Sequence, residues 1–419
     1  MKKLLLAPIA LAVALFANAQ PQFQINGQIS GGKEGMKVYL RNADIPDKKI
    51  LDSTTLHNGS FVFRGRTDSP RFCVIWFYKL KNGKIDPDPF TQRALSLFVE
   101  NCGISIKTCY DSLPVGYDFF NSGGLGNPPG TLITGSASYD KLTEYVNQKR
   151  RLDQELSALE NDMHEVLFPR RPSKQPRERG IQLAEAIDHT TNGLKSLALD
   201  FIKNNPPGAV TGLIALKTLD PVSKEAKIIT VNDIDQVAAH FKGMKNKGAI
   251  VNRLLEKLPQ AKKAALGARF IDFTYTDSTG KKHTLSEYLG KGKQVLIVTW
   301  ATGCGSCRKE IPHLKELYPL YHQKGFEILY ISLYDNMPVW IKGLIKEQMD
   351  WMQLLDEKVD GNRFDPGLFE AYQLSSLGNY LVFDPGGKLI AKRTEGGPWI
   401  DKMLIDLYGN HFPSSEARP

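Results

Sequence analysis

Two cysteines separated by two residues, Cys304 and Cys307, are the residues of this sequence best suited to chemistry. They follow an apolar run that begins at Val295, and an amphipathic helical pattern starts directly after them. A cysteine at the start of a helix lies beside unpaired backbone N–H groups and the positive end of the helix dipole, and both favour a thiolate over a thiol. The spacing also lets the second sulfur reach the first, so the sequence predicts a redox-active pair.

The segments around this pair predict the order of a thioredoxin fold. Buried strands are predicted at 295–300 and 327–332, in the manner of a parallel βαβ unit. An antiparallel hairpin is predicted at 379–391 and a final helix at 399–407. The resulting order, β-α-β-α-β-β-α, defines an α/β thioredoxin-like domain that we assign to residues 265–419.

Residues 20–135 are predicted to form an antiparallel all-β domain, a sandwich or an open barrel. Short alternating segments such as 23–29 and 72–78 are separated by close turns, and Asn58-Gly59 is a strong signal for a hairpin turn. The domain shows no constellation of acid–base or metal-binding residues. We therefore expect it to serve as an interaction or spacer module.

A helical connecting region is predicted for residues 136–264. Apolar residues recur at a spacing of three and four from Leu142 to Met163. This stretch could form a dimerising coiled coil, which leaves a homodimer open, but it covers only about three heptads. Packing against its own neighbouring helices is the favoured interpretation.

Residues 1–19 have the pattern of a signal peptide. Lys2 and Lys3 precede an apolar segment from Leu4 to Phe16, and Ala17-Asn18-Ala19 is a small-residue cleavage site. The apolar segment is shorter than the roughly 20 residues that span a bilayer. We expect a periplasmic or otherwise exported protein that is soluble after cleavage. The net charge of +9 is modest and dispersed, so no nucleic-acid partner is expected.

Three further cysteines, Cys73, Cys102 and Cys109, lie in the first third of the chain. No predicted helix start or basic residue adjoins them, so structural roles are favoured over catalytic ones. Cys109 lies too far along its strand to bridge Cys102 if the two flank a tight hairpin. Two alternatives remain open. One is a disulfide between Cys73 and either Cys102 or Cys109, and the other is three buried thiols.

The segment Trp300-Ala-Thr-Gly-Cys-Gly-Ser-Cys-Arg-Lys-Glu-Ile-Pro312, together with Leu381-Val-Phe-Asp-Pro-Gly-Gly-Lys-Leu-Ile390, resembles the TlpA/ResA-like thiol–disulfide oxidoreductases. The resemblance covers roughly residues 265–410. Residues 25–29 and 58–63 resemble, more loosely, an uncharacterised β domain that often precedes such domains in exported proteins. That second resemblance implies no activity.

The resemblance implies a role for each matching residue. Cys304 would be the exposed attacking thiolate and Cys307 the resolving thiol, while Glu310 would assist proton transfer near the buried sulfur. An ordinary first-turn carboxylate is the alternative for Glu310. Trp300 would shape the surface beside the pair, or belong to the core. The segment containing Leu377 and Gly378 would provide the backbone on which a substrate docks.

The sequence departs from the family pattern around the site. Gly303 stands where tryptophan is common, and the spacer between the cysteines is Gly-Ser rather than Gly-Pro. Gly378 occupies the place of the family's cis-proline. Because a non-proline peptide bond is almost always trans, we expect a reshaped docking backbone. Val298 stands where thioredoxin has a buried aspartate, which makes Glu310 more important for proton handling.

These features predict an exported oxidoreductase that reduces or exchanges disulfides in extracytoplasmic proteins. The family resemblance implies no cofactor, and a membrane-bound electron donor would recharge the pair. The direction of electron flow stays open. A peroxiredoxin would need a proline and a threonine ahead of a lone cysteine. His313 and His322 lie on the following helix, but a single Cys-X-X-Cys is only half of a tetrahedral zinc site, so zinc would need further ligands. The alternative from a different class is a non-catalytic interaction protein whose Cys-X-X-Cys forms a structural disulfide.

Overall fold

A computed structural model of the chain describes residues 22–43, 50–86, 88–121, 124–168, 176–356, 367–374, 376–394 and 396–412. The predicted signal peptide, residues 1–19, lies outside the described residues. The described chain begins with β sheets, continues through a bundle of helices and ends in a mixed sheet flanked by helices. Within this part of the chain, no helix combines the length and the apolar character that crossing a bilayer requires.

The N-terminal part is a pair of four-stranded sheets that share an apolar interior, which confirms the prediction of an all-β fold. One sheet has the order β10-β9-β1-β4, the other has the order β3-β2-β5-β8, and β6 and β7 form a separate ribbon. The elements are β1 (Phe23–Ser30), β2 (Lys37–Asn42), β3 (Ile50–Thr55), β4 (Ser60–Gly65), β5 (Arg71–Tyr78), β6 (Leu80–Lys81), β7 (Lys84–Ile85), β8 (Arg93–Val99), β9 (Gly103–Cys109), α1 (Gly116–Asn121) and β10 (Leu132–Thr134).

The pairing of these strands differs from the sequence prediction at two points. Strand β1 runs parallel to β9, whereas an antiparallel arrangement was expected throughout. Asn58 and Gly59 form the predicted turn, with φ of 49° and 70°, but the strands on either side belong to different sheets. The predicted hairpin is therefore wrong in its pairing. Turn residues fix a reversal of direction, whereas the burial of each apolar face decides which sheet a strand joins.

The helical region packs onto the β sheets through one continuous apolar core. Its helices are α2 (Ala137–Leu167), α3 (Pro176–Asn204), α4 (Ala209–Thr218), α5 (Val231–His240) and α6 (Ala249–Lys263). Helix α2 lies along α3, and Leu142 and Tyr145 of α2 are buried in the shared core. The apolar stripe of α2 is thus covered by neighbours in the same chain, as the favoured interpretation predicts.

The C-terminal part is a seven-stranded sheet with helices on its faces, which confirms the thioredoxin-like prediction. The strand order is β12-β11-β15-β14-β13-β16-β17. The elements are β11 (Thr274–Thr276), β12 (Lys282–Thr284), β13 (Gln294–Trp300), α7 (Gly305–Tyr321), β14 (Phe326–Ser332), α8 (Met337–Glu347), β15 (Met352–Leu355), α9 (Gly367–Ala371), β16 (Tyr380–Phe383), β17 (Leu389–Arg393) and α10 (Pro398–Tyr408).

Strand β13 organises this sheet because it is buried on both faces. It runs parallel to β14, as predicted, and antiparallel to β16. Leu296, Val298 and Trp300 face one core with α7 and α10. Val295 and Ile297 face the opposite core, since side chains alternate along a strand. The end of β13 therefore has a fixed direction, and the cysteine pair follows it.

Helices α3 and α10 join the helical region to the C-terminal sheet. At this junction the side chain of Lys392 is buried, and its ammonium group donates to the carbonyl oxygens of Ala264 and Tyr372, each at 3.3 Å. Arg393 pairs with Asp188 of α3. The junction is therefore held by charged contacts as well as by packing.

Candidate active site

The two cysteines of the predicted pair lie at the start of α7 and are joined by a disulfide, with their Cα atoms 5.4 Å apart. Cys304 is the N-cap residue of α7, and its sulfur accepts the backbone N–H of Cys307 at 3.2 Å. Cys304 is partly exposed, whereas Cys307 is only 2% exposed. One sulfur is thus accessible to a partner molecule, and the other can be reached only through the first.

The turn between β13 and the cysteines is held by a buried carboxylate, Asp335. The backbone N–H and the hydroxyl of Thr302 each donate to it at 2.8 Å, and the hydroxyl of Ser332 donates at 2.7 Å. Asp335 is 7% exposed. Sequence reasoning missed this residue, although an aspartate three positions after the predicted end of a buried strand was the available signal.

Trp300 belongs to the core and not to the surface beside the cysteines. Its side chain is fully buried and packs against the ring of Tyr330, with ring centroids 5.7 Å apart. Its position explains this, because it is the last residue of β13 and shares the inward face of Leu296 and Val298. The predicted role in shaping a docking surface is therefore corrected in favour of the core alternative.

Gly378 faces the buried cysteine, as the family pattern implies for this position. A Cβ atom at Gly378 would lie 3.6 Å from the sulfur of Cys307. No cis peptide bond occurs among the described residues, and Gly378 has a φ of 77°. Its N–H donates to the carbonyl oxygen of Thr299 at 2.9 Å, a bond that proline could not make. Leu377, beside it, is partly buried against the cores on both faces of the sheet.

The carboxylate of Glu310 is partly buried and has fixed partners. It accepts the backbone N–H of Gly397 at 2.6 Å and lies 2.7 Å from Nδ1 of His313. Tyr380 of β16 lies on the same side, since a Cβ at Gly396 would meet both this carboxylate and the Tyr380 ring. Burial raises the pKa of Tyr380, and the charge of Glu310 raises it further.

His313 bridges two carboxylates. Its Nε2 lies 2.8 Å from Asp401 of α10, while its Nδ1 faces Glu310. Burial by itself would lower the pKa of His313. The hydrogen bonds to Asp401 and Glu310 outweigh this effect and raise the pKa of His313 to about 9. Among the described residues, His, Cys, Asp and Glu side chains form no group of three suited to a metal ion.

The three earlier cysteines differ in exposure, and none of them is bridged to another. Cys73 is buried in the β core, Cys102 is partly exposed and Cys109 is exposed. The alternative of three buried thiols therefore holds only for Cys73. At Cys109 the N–H of Asp111 and the hydroxyl of Ser30 lower the thiol pKa.

Comparisons with known proteins place the site in a family. The AhpC/TSA family matches residues 266–391, and a domain of unknown function, DUF4369, matches residues 23–142. The chain is 44% identical over 69 residues to the thiol-disulfide oxidoreductase ResA of Geobacillus kaustophilus, a match that covers 16% of this chain and 38% of that relative. It is 37% identical over 129 residues to ResA of Bacillus thuringiensis subsp. konkukian, covering 30% of this chain and 69% of the relative.

A solved structure shows a similar likeness. The thioredoxin domain of a thiol-disulfide oxidoreductase from Bacteroides vulgatus is 29% identical, with a TM-score of 0.31, and the match covers 35% of this chain and 99% of that one.

The sheet order and the cysteine pair at the start of α7 define a thioredoxin-like domain with a Cys-X-X-Cys pair. Through its C-terminal part, the chain belongs to the ResA family of thiol–disulfide oxidoreductases.

Proposed function

We propose that this protein is an exported oxidoreductase that reduces or exchanges disulfides in extracytoplasmic proteins through Cys304 and Cys307. The observation that supports this most directly is the contrast between the partly exposed sulfur of Cys304 and the buried sulfur of Cys307 at one helix start. A purely structural disulfide has no need of this asymmetry. Exchange requires it, because an intermolecular step must precede the intramolecular one.

In the first step the thiolate of Cys304 attacks a substrate disulfide. A bond forms between Cys304 and one substrate sulfur, the substrate S–S bond breaks, and the departing sulfur takes a proton from solvent. The start of α7 favours the attacking thiolate through the N–H of Cys307, 3.2 Å from the Cys304 sulfur, and through the helix dipole.

In the second step Cys307 resolves the mixed disulfide. Its thiol loses a proton to Glu310, the resulting thiolate bonds to the sulfur of Cys304, and the substrate leaves as a thiol after taking up a proton. The substrate has then gained two electrons and the pair has lost two. We propose that a membrane-bound electron donor returns these two electrons, so that the cycle needs no organic cofactor.

Trapping of the mixed disulfide tests this proposal. A Cys307→Ser variant cannot resolve the intermediate, so it should accumulate substrates bound covalently to Cys304. The matched control is Cys109→Ser, which removes an exposed thiol outside the site and should trap nothing. Capture that survives replacement of Cys304 by serine, or no capture of extracytoplasmic proteins at all, would refute the proposal.

Gly378 is the observation that favours the second candidate, a non-catalytic interaction protein. The family's docking proline is replaced by a glycine whose N–H already donates to the carbonyl oxygen of Thr299. The reduction potential separates the two functions, because structural disulfides of secreted proteins have potentials below about −300 mV. A value above that range supports exchange, and a value at the strongly oxidising end would turn the assignment from a reductase to an oxidase.

A further inference from the structure

A line of charged side chains leads from the cysteine helix into the helical region. Glu310 contacts His313, His313 contacts Asp401, and Asp401 accepts Nε of Arg177 at 3.2 Å. Arg177 lies in the first turn of α3, and its Nη2 also pairs with Glu316 of α7 at 3.0 Å. Its guanidinium group stacks 4.2 Å from the ring centroid of Phe412. His313, Asp401 and Arg177, from the three helices α7, α10 and α3, therefore form a connected line behind the carboxylate of Glu310.

The geometry at His313 identifies the form of its ring. Both ring nitrogens face carboxylate oxygens, at 2.7 and 2.8 Å, and an imidazole can donate from both nitrogens only when it is protonated. The side chain of Asp401 is 3% exposed, so it needs a cation close by. Arg177 supplies a second positive charge on the other oxygen of Asp401. His313 is thus held as an imidazolium ion by contacts on both sides.

Glu310 lies three residues after Cys307 on α7, which places the two side chains on the same face of the helix. Charged and titratable groups from several neighbouring elements surround this face. They include Glu316 on α7, Glu347 on α8, Asp401 on α10, Arg177 on α3, Tyr330 on β14 and Tyr380 on β16. His313 is the cation in direct contact with Glu310 within the described residues.

We infer that His313 is a positioning residue for proton transfer at Cys307: it aims the carboxylate of Glu310, while Asp401 and Arg177 hold His313 in place. This inference rests on the proposed function. It assigns to the helical region a part in the redox chemistry, because Arg177 comes from α3. The proton still passes from Cys307 to Glu310, and His313 neither gains nor loses one.

Removal of the imidazolium ion should free the carboxylate of Glu310 to turn. In a His313→Gln variant the charged contact at 2.7 Å is lost, while the N–H of Gly397 still binds the same carboxylate oxygen. Because a small misplacement of a reacting group is costly, the resolving step should slow by about tenfold or more.

The experiment separates the two steps with an aromatic disulfide, dithiobis(nitrobenzoate), on the reduced full-length protein, in which Cys102 and Cys109 are replaced by serine because their accessible thiols would also react. The first coloured thiol is released when Cys304 attacks, and the second is released when Cys307 resolves the mixed disulfide. In His313→Gln the rate of the second phase should fall by about tenfold or more. The first phase should keep its rate. An Asp401→Asn variant, which removes the charge that orients His313, should slow the second phase in the same way.

Arginine variants supply the matched control. Arg177→Gln should slow the second phase by a smaller factor, because it acts through Asp401. Arg179→Gln, two residues further along α3, removes an exposed pair with Asp162 and should leave both phases unchanged. A second-phase rate that is identical in wild type, His313→Gln and Asp401→Asn overturns the inference. If the wild-type protein itself shows no second phase, the exchange chemistry fails instead, so the two failures are distinguishable.

Discussion

Gly378 places a backbone of unusual conformation against Cys307. Its φ of 77° lies in the region that glycine adopts readily, and its N–H is bonded to Thr299. A proline needs a φ near −65° and has no N–H to donate. Residue 378 therefore differs from the family's proline both in its φ and in its N–H hydrogen bond, and the neighbouring backbone suits glycine.

A Gly378→Pro variant, which restores the family's residue, should consequently destabilise the protein. We expect the free energy of unfolding to fall by more than about 2 kcal/mol, because proline cannot adopt the native φ and also loses the hydrogen bond to Thr299. Chemical denaturation measures this. Gly378→Ala serves as the control that keeps the N–H and meets only the cost of a positive φ, about 1–2 kcal/mol. Equal stability of Gly378→Pro and wild type would contradict the argument.

At the scale of single residues, the sequence identified the side chains that lie close together along the chain. Cys304, Cys307 and Glu310 fall within seven positions, and a helix start explains their grouping. Asp401 and Arg177 could not be found in this way, since they are separated from α7 by long stretches of chain. His313 was noted only as an insufficient zinc ligand, because its value depends on partners that the fold supplies.

At the scale of elements, the β13–α7 connection depends on a carboxylate from the end of the neighbouring strand. Asp335 follows β14 and accepts three hydrogen bonds from Thr302 and Ser332. These bonds fix the turn that precedes Cys304. The parallel pairing of β13 with β14 brings the two strand ends together, so the support comes from the sheet itself.

Replacement of Asp335 by alanine should loosen this connection. The Thr302 N–H and the Ser332 hydroxyl would lose their acceptor in a buried site, which we expect to cost about 2–3 kcal/mol in the free energy of unfolding. Thermal or chemical denaturation tests the change in stability. Asp200→Ala, at an exposed position on α3, is the control and should have an effect within about 0.5 kcal/mol. A neutral Asp335→Ala substitution would show that the turn is held by other contacts.

The strands and helices of the C-terminal sheet were predictable because apolar runs and turn signals agree there. β13, β14 and the β16–β17 hairpin all appear where the pattern places them. Strand β15 was missed, since four residues give too little alternation to be recognised. The Asn58-Gly59 turn was predicted correctly, but its strands join different sheets, which no local signal records.

At the scale of the whole molecule, the β sheets and the helical region share one core, and the helical region reaches the active site through α3. Periodicity distinguished the β, helical and α/β parts of the chain. It did not predict the shared core or the junction between α3 and α10, because these depend on which surfaces meet. The family resemblance was similarly confined to the C-terminal part.

Lys392 at this junction makes stability depend on pH. Burial, and to a lesser extent the charge of Lys227, lowers the pKa of Lys392 to about 8 from its usual 10.5. The unfolded chain therefore binds this proton more tightly than the folded chain, and the contribution of Lys392 to the free energy of unfolding should rise between pH 8 and 10.5, by on the order of 3 kcal/mol. A Lys392→Met variant should lack this rise, whereas Lys388→Met, an exposed lysine of the same hairpin, should retain it.

The buried ammonium group of Lys392 has a further consequence. Above pH 8 it becomes an uncharged primary amine, a good nucleophile that the surrounding protein shields from solvent. An acylating reagent can reach it only when the contact between the helical region and the C-terminal sheet opens. The rate of its acylation, followed by mass spectrometry, would therefore measure how often the helical region separates from the C-terminal sheet.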